Sequence, residues 1–101
     1  MNPLEIIQAG ESLEFKFDRG GDSIDGWICT INVKQYPQDA SVITRVIQPD
    51  TDSNSWSGFL TSTETSGLAG GLWFIIGVLT KSSTDEEEQI PERFFVSTPW
   101  A

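Results

Sequence analysis

Leu72-Trp73-Phe74-Ile75-Ile76-Gly77-Val78-Leu79-Thr80 is apolar at both parities. Side chains alternate across an extended strand, so Leu72, Phe74, Ile76 and Val78 fall on one face while Trp73, Ile75 and Leu79 fall on the other. The aromatic and β-branched content favours a strand over a helix. An antiparallel sheet usually shows one face to water, so a strand apolar on both faces is either covered twice or offers a patch to another molecule. Trp73, Ile75 and Leu79 are the expected second face. A cover from the chain's own loop or terminus is the equal alternative.

The same period of two recurs upstream. Leu13, Phe15 and Phe17 alternate with Glu14 and Lys16 between Ser12 and Phe17, a half-buried strand. Asp18 to Gly21 supplies its turn. After Asp25-Gly26, a pair suited to positive φ, Trp27, Cys29, Ile31 and Val33 share one face opposite Ile28, Thr30 and Asn32. Tyr36 to Ala40 reads as a loop, Val42 to Ile47 as a third strand and Pro49 to Ser55 as a polar turn. Trp56 to Leu60 is a short strand with Gly58 marking a bulge. Thr61 to Gly71 is a long polar connection. Lys81 to Gln89, with Asp85-Glu86-Glu87-Glu88, is a solvated acidic loop, and Arg93 to Ser97 is the last strand. With Leu4 to Ile7 as an edge strand, this makes an all-β chain: a single antiparallel β-sandwich of about seven strands spanning residues 1–101.

Composition limits what such a sandwich can do. At 101 residues the chain is one domain with a modest core, and 38% apolar residues are enough to fold it. Six Lys and Arg against fifteen Asp and Glu give a net charge of −9, which repels phosphate backbones and anionic bilayers, so neither nucleic acid nor membrane is an expected partner. With no histidine, the Ser–His, Cys–His and His-based zinc arrangements are excluded. The lone Cys29 has no partner for an internal bridge and reads as a small buried hydrophobe. Met1 to Ile7 has neither the basic residue nor the apolar stretch of a signal peptide, so cytosolic synthesis without export is expected.

Other constellations are weak. Asp50, Asp52 and Asn54 follow the one-three-five spacing of a calcium loop, but Ser55 stands where that loop needs glycine and Thr61 where it needs a bidentate glutamate, so a polar turn is the better reading. Fifteen acids allow many carboxylate pairings, which makes each uninformative about hydrolysis. Trp27, Trp56, Trp73 and Trp100 with Tyr36 suggest a stacking platform for sugars, but Trp27 and Trp73 lie in apolar-patterned strands, leaving Trp56, Trp100 and Tyr36 as exposed rings. No catalytic, metal or cofactor site, and no small-molecule substrate, is expected.

Three segments carry a family likeness: Ile6-Ile7-Gln8-Ala9-Gly10-Glu11-Ser12 leading into the alternating strand, Asp25-Gly26-Trp27 opening a core strand, and Ser62-Thr63-Glu64-Thr65-Ser66-Gly67-Leu68-Ala69-Gly70-Gly71-Leu72-Trp73 preceding the aromatic strand. Together they resemble small structural proteins of tailed bacteriophages with immunoglobulin-like β-sandwiches. The resemblance implies a non-enzymatic virion component assembled in the host cytoplasm, either a capsid decoration protein or a tail or baseplate module. Its partners would be other virion proteins and copies of itself. Trp73, Ile75, Leu79 and Trp100 are the expected interface residues. A carbohydrate-binding module using exposed rings is the alternative.

Overall fold

The computed structural model describes residues 5–36, 41–50, 52–81 and 83–98. The elements are β1 (Glu5–Gln8), β2 (Leu13–Asp18), β3 (Ile28–Lys34), β4 (Ile43–Ile47), β5 (Pro49–Asp50), β6 (Ser55–Leu60), α1 (Ser62–Ser66), β7 (Gly71–Lys81) and β8 (Glu86–Ser97). Two sheets pack face to face, one of five strands in the order β1-β8-β7-β3-β4 and one of three in the order β2-β6-β5. The all-β sandwich expected from the alternation is what forms. It is not wholly antiparallel, because β1 runs parallel to β8, with Glu5 opposite Phe94 and Gln8 opposite Ser97.

The core is the sum of the inward parities. Leu13, Phe15 and Phe17 of β2 meet Cys29, Ile31 and Val33 of β3 and Trp73, Ile75 and Leu79 of β7, all buried. Two glycines make this packing possible. Phe15 pairs across the ladder with Gly58, where an added Cβ would meet the ring at 2.9 Å. The β2–β6 register runs unbroken from Leu13↔Leu60 to Asp18↔Ser55, so Gly58 gives room to a neighbouring ring and marks no bulge. Between the sheets, Phe17 of β2 lies over Gly77 of β7.

Two further expectations are corrected. The acidic block is not a loop: Glu86, Glu87 and Glu88 belong to β8, opposite Lys81, Thr80 and Leu79. The long β7–β8 hairpin carries them, and Glu88 accepts a 2.7 Å bond from Arg19. The Arg19 guanidinium in turn sits 4.1 Å from the centroid of the buried Trp27 ring, a cation–π contact that gives the block a structural partner. Pro91 is tolerated in β8 because, among the described residues, β1 covers only Phe94 to Ser97 and no ladder neighbour lies on the other side of this part of the strand. The connection from Thr61 to Gly71 contains α1, whose Thr61–Glu64 capping box forms in full: the Glu64 N–H donates to Thr61 Oγ1 and the Thr61 N–H to Glu64 Oε1. Thr65, fully buried, ties this helix to the β1–β2 turn by donating to the Glu11 carbonyl at 2.7 Å and accepting from the Gly10 N–H at 3.2 Å.

Glu64 also links the two sheets. Arg45 of β4 donates to its carboxylate at 3.0 Å and to the Phe59 carbonyl at 2.7 Å. The Thr61 N–H first, and then Arg45, hold the Glu64 carboxyl below its ordinary value of 4.5. A depressed carboxylate stabilises the fold above its unfolded pKa, and that contribution is lost as pH falls through the folded one. Glu64→Gln keeps a capping acceptor but loses the ion pair. It is expected to lower stability by about 0.5–1 kcal/mol near neutral pH. The difference from the parent should close below the ordinary carboxylate range, as read by Tm against pH.

Candidate functional site

Because one parity of the five-stranded sheet is committed to the core, the other faces outward, and the strand registers place its residues in rows. Ile6, Phe95 and Leu72 form the first, across β1, β8 and β7. Arg93, Phe74 and Lys34 follow, then Pro91, Ile76, Asn32 and Thr44. Gln89, Val78, Thr30 and Val46 form the fourth row, and Glu87, Thr80 and Ile28 close the face. Ile6 is 68% exposed, Val46 58% and Ile28 46%, while Leu72 and Phe95 stand near 36–39%. Phe74, Ile76 and Val78 are half-buried by their neighbours along the strands. Of the charged groups on this face, Arg93 and Lys34 are offset only by Glu87. A chain of net charge −9 thus concentrates its acids elsewhere and leaves a broad apolar face close to neutral.

The two-sided apolar strand is therefore present, with its faces exchanged. Trp73, Ile75 and Leu79 are 5%, 3% and 0% exposed, so they are core side chains and not the patch. The patch is the other parity, Leu72, Phe74, Ile76 and Val78. What decides between them is Gly77: a glycine on the Trp73 parity lets Phe17 of the opposite sheet approach, so that parity must face inward. Trp73 is held there by donating its indole N–H to the Ala69 carbonyl at 2.8 Å. Trp100 lies outside the described residues. Phe95, Ile6, Ile28 and Val46 were missed because only the pairing of β8, β1, β3 and β4 with β7 brings them beside it.

Trp56 is fully buried, against its expected exposure, and Trp27 and Trp73 are buried with it, so no row of tryptophans is available on the described surface. Tyr36, at 56% exposed, does stand at the surface. Asp50 and Asn54 are engaged in turn chemistry. Asp50 Oδ1 accepts the Asp52 and Ser53 N–H groups. Asn54, at φ +53°, accepts the Ile24 N–H at 3.2 Å and donates to the Asp22 carbonyl at 2.8 Å. Their oxygens point to separate partners. No cluster of potential metal ligands forms among the described residues. Burial raises the Cys29 thiol to about 11, which suppresses the thiolate that nucleophilic chemistry needs. A groove of about 350 Å³ opens between β2 and β8, floored by Phe15, Phe17, Ile75 and Phe94 and rimmed by charged side chains.

A five-stranded sheet packed on a three-stranded one, with these strand orders, defines an immunoglobulin-like sandwich whose larger sheet carries two strands, β1 and β4, beside the central three. No protein-family model matches the chain, and no curated protein matches it. Solved structures do. The NK cell receptor Nkp44, described as a triggering partner in natural cytotoxicity, is similar over 95% of this chain and 100% of that one, with a TM-score of 0.59 and 12% sequence identity. The likeness is one of fold. Where antibody domains join the two sheets by a disulfide, this chain, whose one cysteine is free, sets the Phe17 ring over Gly77.

Proposed function

We propose that the protein is a non-enzymatic assembly module that docks a protein partner on the outer face of its five-stranded sheet. The observation that carries this reading is the continuous apolar face running from Ile6 and Phe95 through Leu72, Phe74, Ile76 and Val78 to Val46, nearly free of net charge on a strongly acidic chain. The narrower reading is a tailed-phage virion component, a capsid decoration protein or a tail or baseplate module. It is supported by the segment resemblance from Ile6 to Ser12, at Asp25-Gly26-Trp27 and from Ser62 to Trp73. Repetition in a lattice would let modest individual contacts hold by effective concentration.

The test is incorporation of the purified chain into particles assembled without it. Leu72→Asp/Phe95→Asp removes two side chains that are 36% and 39% exposed and sets two carboxylates opposite each other, so it is expected to lower Tm by several degrees yet leave the chain folded, and to abolish co-sedimentation with the particles. Equal co-sedimentation of this variant and the parent overturns the docking face. Failure of the parent to co-sediment overturns the virion reading.

A further inference from the structure

We infer that β2 is a self-association edge, and that two copies of this chain pair β2 to β2, antiparallel, about a two-fold axis through Phe15. The inference goes beyond the outer-face reading and does not rest on it. Among the described residues β2 is hydrogen-bonded to β6 alone, and no described strand takes up the backbone groups on its other side.

The sequence of β2 selects the partner. In an antiparallel pair, directly opposed residues share a face, so the axis must pass through a residue and every pair keeps its parity. With the axis at Phe15, Glu14 of each copy stands opposite Lys16 of the other on the exposed face. Leu13 stands opposite Phe17 and Phe15 opposite Phe15 on the inward parity, whose side chains the chain's own core already buries, so the charged pairs set the register. Moving the axis to Glu14 or to Lys16 sets like charges opposite each other, so the side chains fix the register as well as the partner. The other described edges lack this complementarity: β1, Glu5-Ile6-Ile7-Gln8, carries one acid and no cation. Strand β4 centred on Arg45 would oppose two guanidinium groups, and Arg45 is already engaged by Glu64 and Phe59. β5 has two residues. The paired small sheets would join as β5-β6-β2-β2-β6-β5.

Sedimentation velocity over a concentration series tests this, with amide hydrogen exchange of the β2 N–H groups read on the same samples. The parent is expected to dimerise and to gain protection at the β2 amides not bonded to β6. Lys16→Glu and Glu14→Lys should each weaken the dimer about tenfold or more, because each turns two attractive cross-strand pairs repulsive. Glu14→Lys/Lys16→Glu should restore it. Net charge alone predicts otherwise: Glu14→Lys takes the chain from −9 to −7 and would strengthen association. A parent that stays monomeric at every concentration overturns the proposal, as does a double variant that fails to recover. A dimer lost in Leu72→Asp/Phe95→Asp but retained in Lys16→Glu would place self-association on the outer face, and likewise overturns it.

Discussion

Trp73→Asp is expected to unfold the protein outright, while Leu72→Asp, one residue away, leaves it folded. The Trp73 ring is 5% exposed and its indole N–H donates to the Ala69 carbonyl at 2.8 Å, so the substitution removes a large buried surface and orphans an acceptor. Truncating such a ring costs about 3–5 kcal/mol before any charge is introduced. Placing an unpaired carboxylate in the same site adds several more. The total is comparable to the roughly 5–15 kcal/mol that stabilises a domain of this size. Loss of the β-sheet signal in far-UV circular dichroism and of dispersed amide resonances would register it. A folded Trp73→Asp variant would mean that the inward and outward faces of β7 have been exchanged.

That pair of substitutions also marks how far the sequence could be read. Strand existence was legible because alternation is local: β2, β3, β4, β6 and β7 lie within a residue or so of where the period of two puts them. Facing was not. Trp73, Ile75 and Leu79 and their opposite parity are equally apolar, and only the contact of Gly77 with Phe17, sixty residues away in the chain, turns one set inward. The acidic block misled for a related reason. Four adjacent acids read as solvated loop, yet Glu88 finds Arg19 across a sequence separation of 69 residues, and the cross-strand partner Lys81 favours Glu86 in the ladder. The helix α1 was legible in principle, since Thr61-Ser62-Thr63-Glu64 is a capping box by spacing. A five-residue helix carries too little apolar period to announce itself otherwise. Of the outer face only the β7 row, Leu72, Phe74, Ile76 and Val78, had a local signal, because the rest of it is assembled from five strands by register.

Gly77→Val is the second large effect, and it tests the contact between Phe17 and Gly77 that joins the two sheets. An ideal Cβ at Gly77 would lie 2.9, 3.0 and 3.1 Å from three atoms of the Phe17 ring, the first shorter than real Cβ atoms keep and the others tighter than nearly all of their contacts. Phe17 is 2% exposed and its ring also packs beside Phe15, with centroids 5.9 Å apart, so it has little room to move except toward the groove it floors. Two effects oppose each other. Removing a glycine from a strand interior should help by about 0.5–1 kcal/mol through lost backbone freedom. Overpacking a confined ring costs about 1–3 kcal/mol for one added group and more for a branched side chain. The clash wins, so Gly77→Ala should destabilise by about 1–2 kcal/mol net and Gly77→Val by at least about 3 kcal/mol. Phe17→Ala, which leaves a cavity between the sheets, should cost about 3–5 kcal/mol. The decisive measurement is a double-mutant cycle in urea: Phe17→Leu frees part of the space a methyl group at position 77 would need, so Phe17→Leu/Gly77→Ala should be more stable than the sum of its single variants by about 1 kcal/mol or more. Strict additivity would show that the two residues do not meet, and a stabilising Gly77→Ala would remove the inter-sheet contact from the account of what holds this sandwich closed.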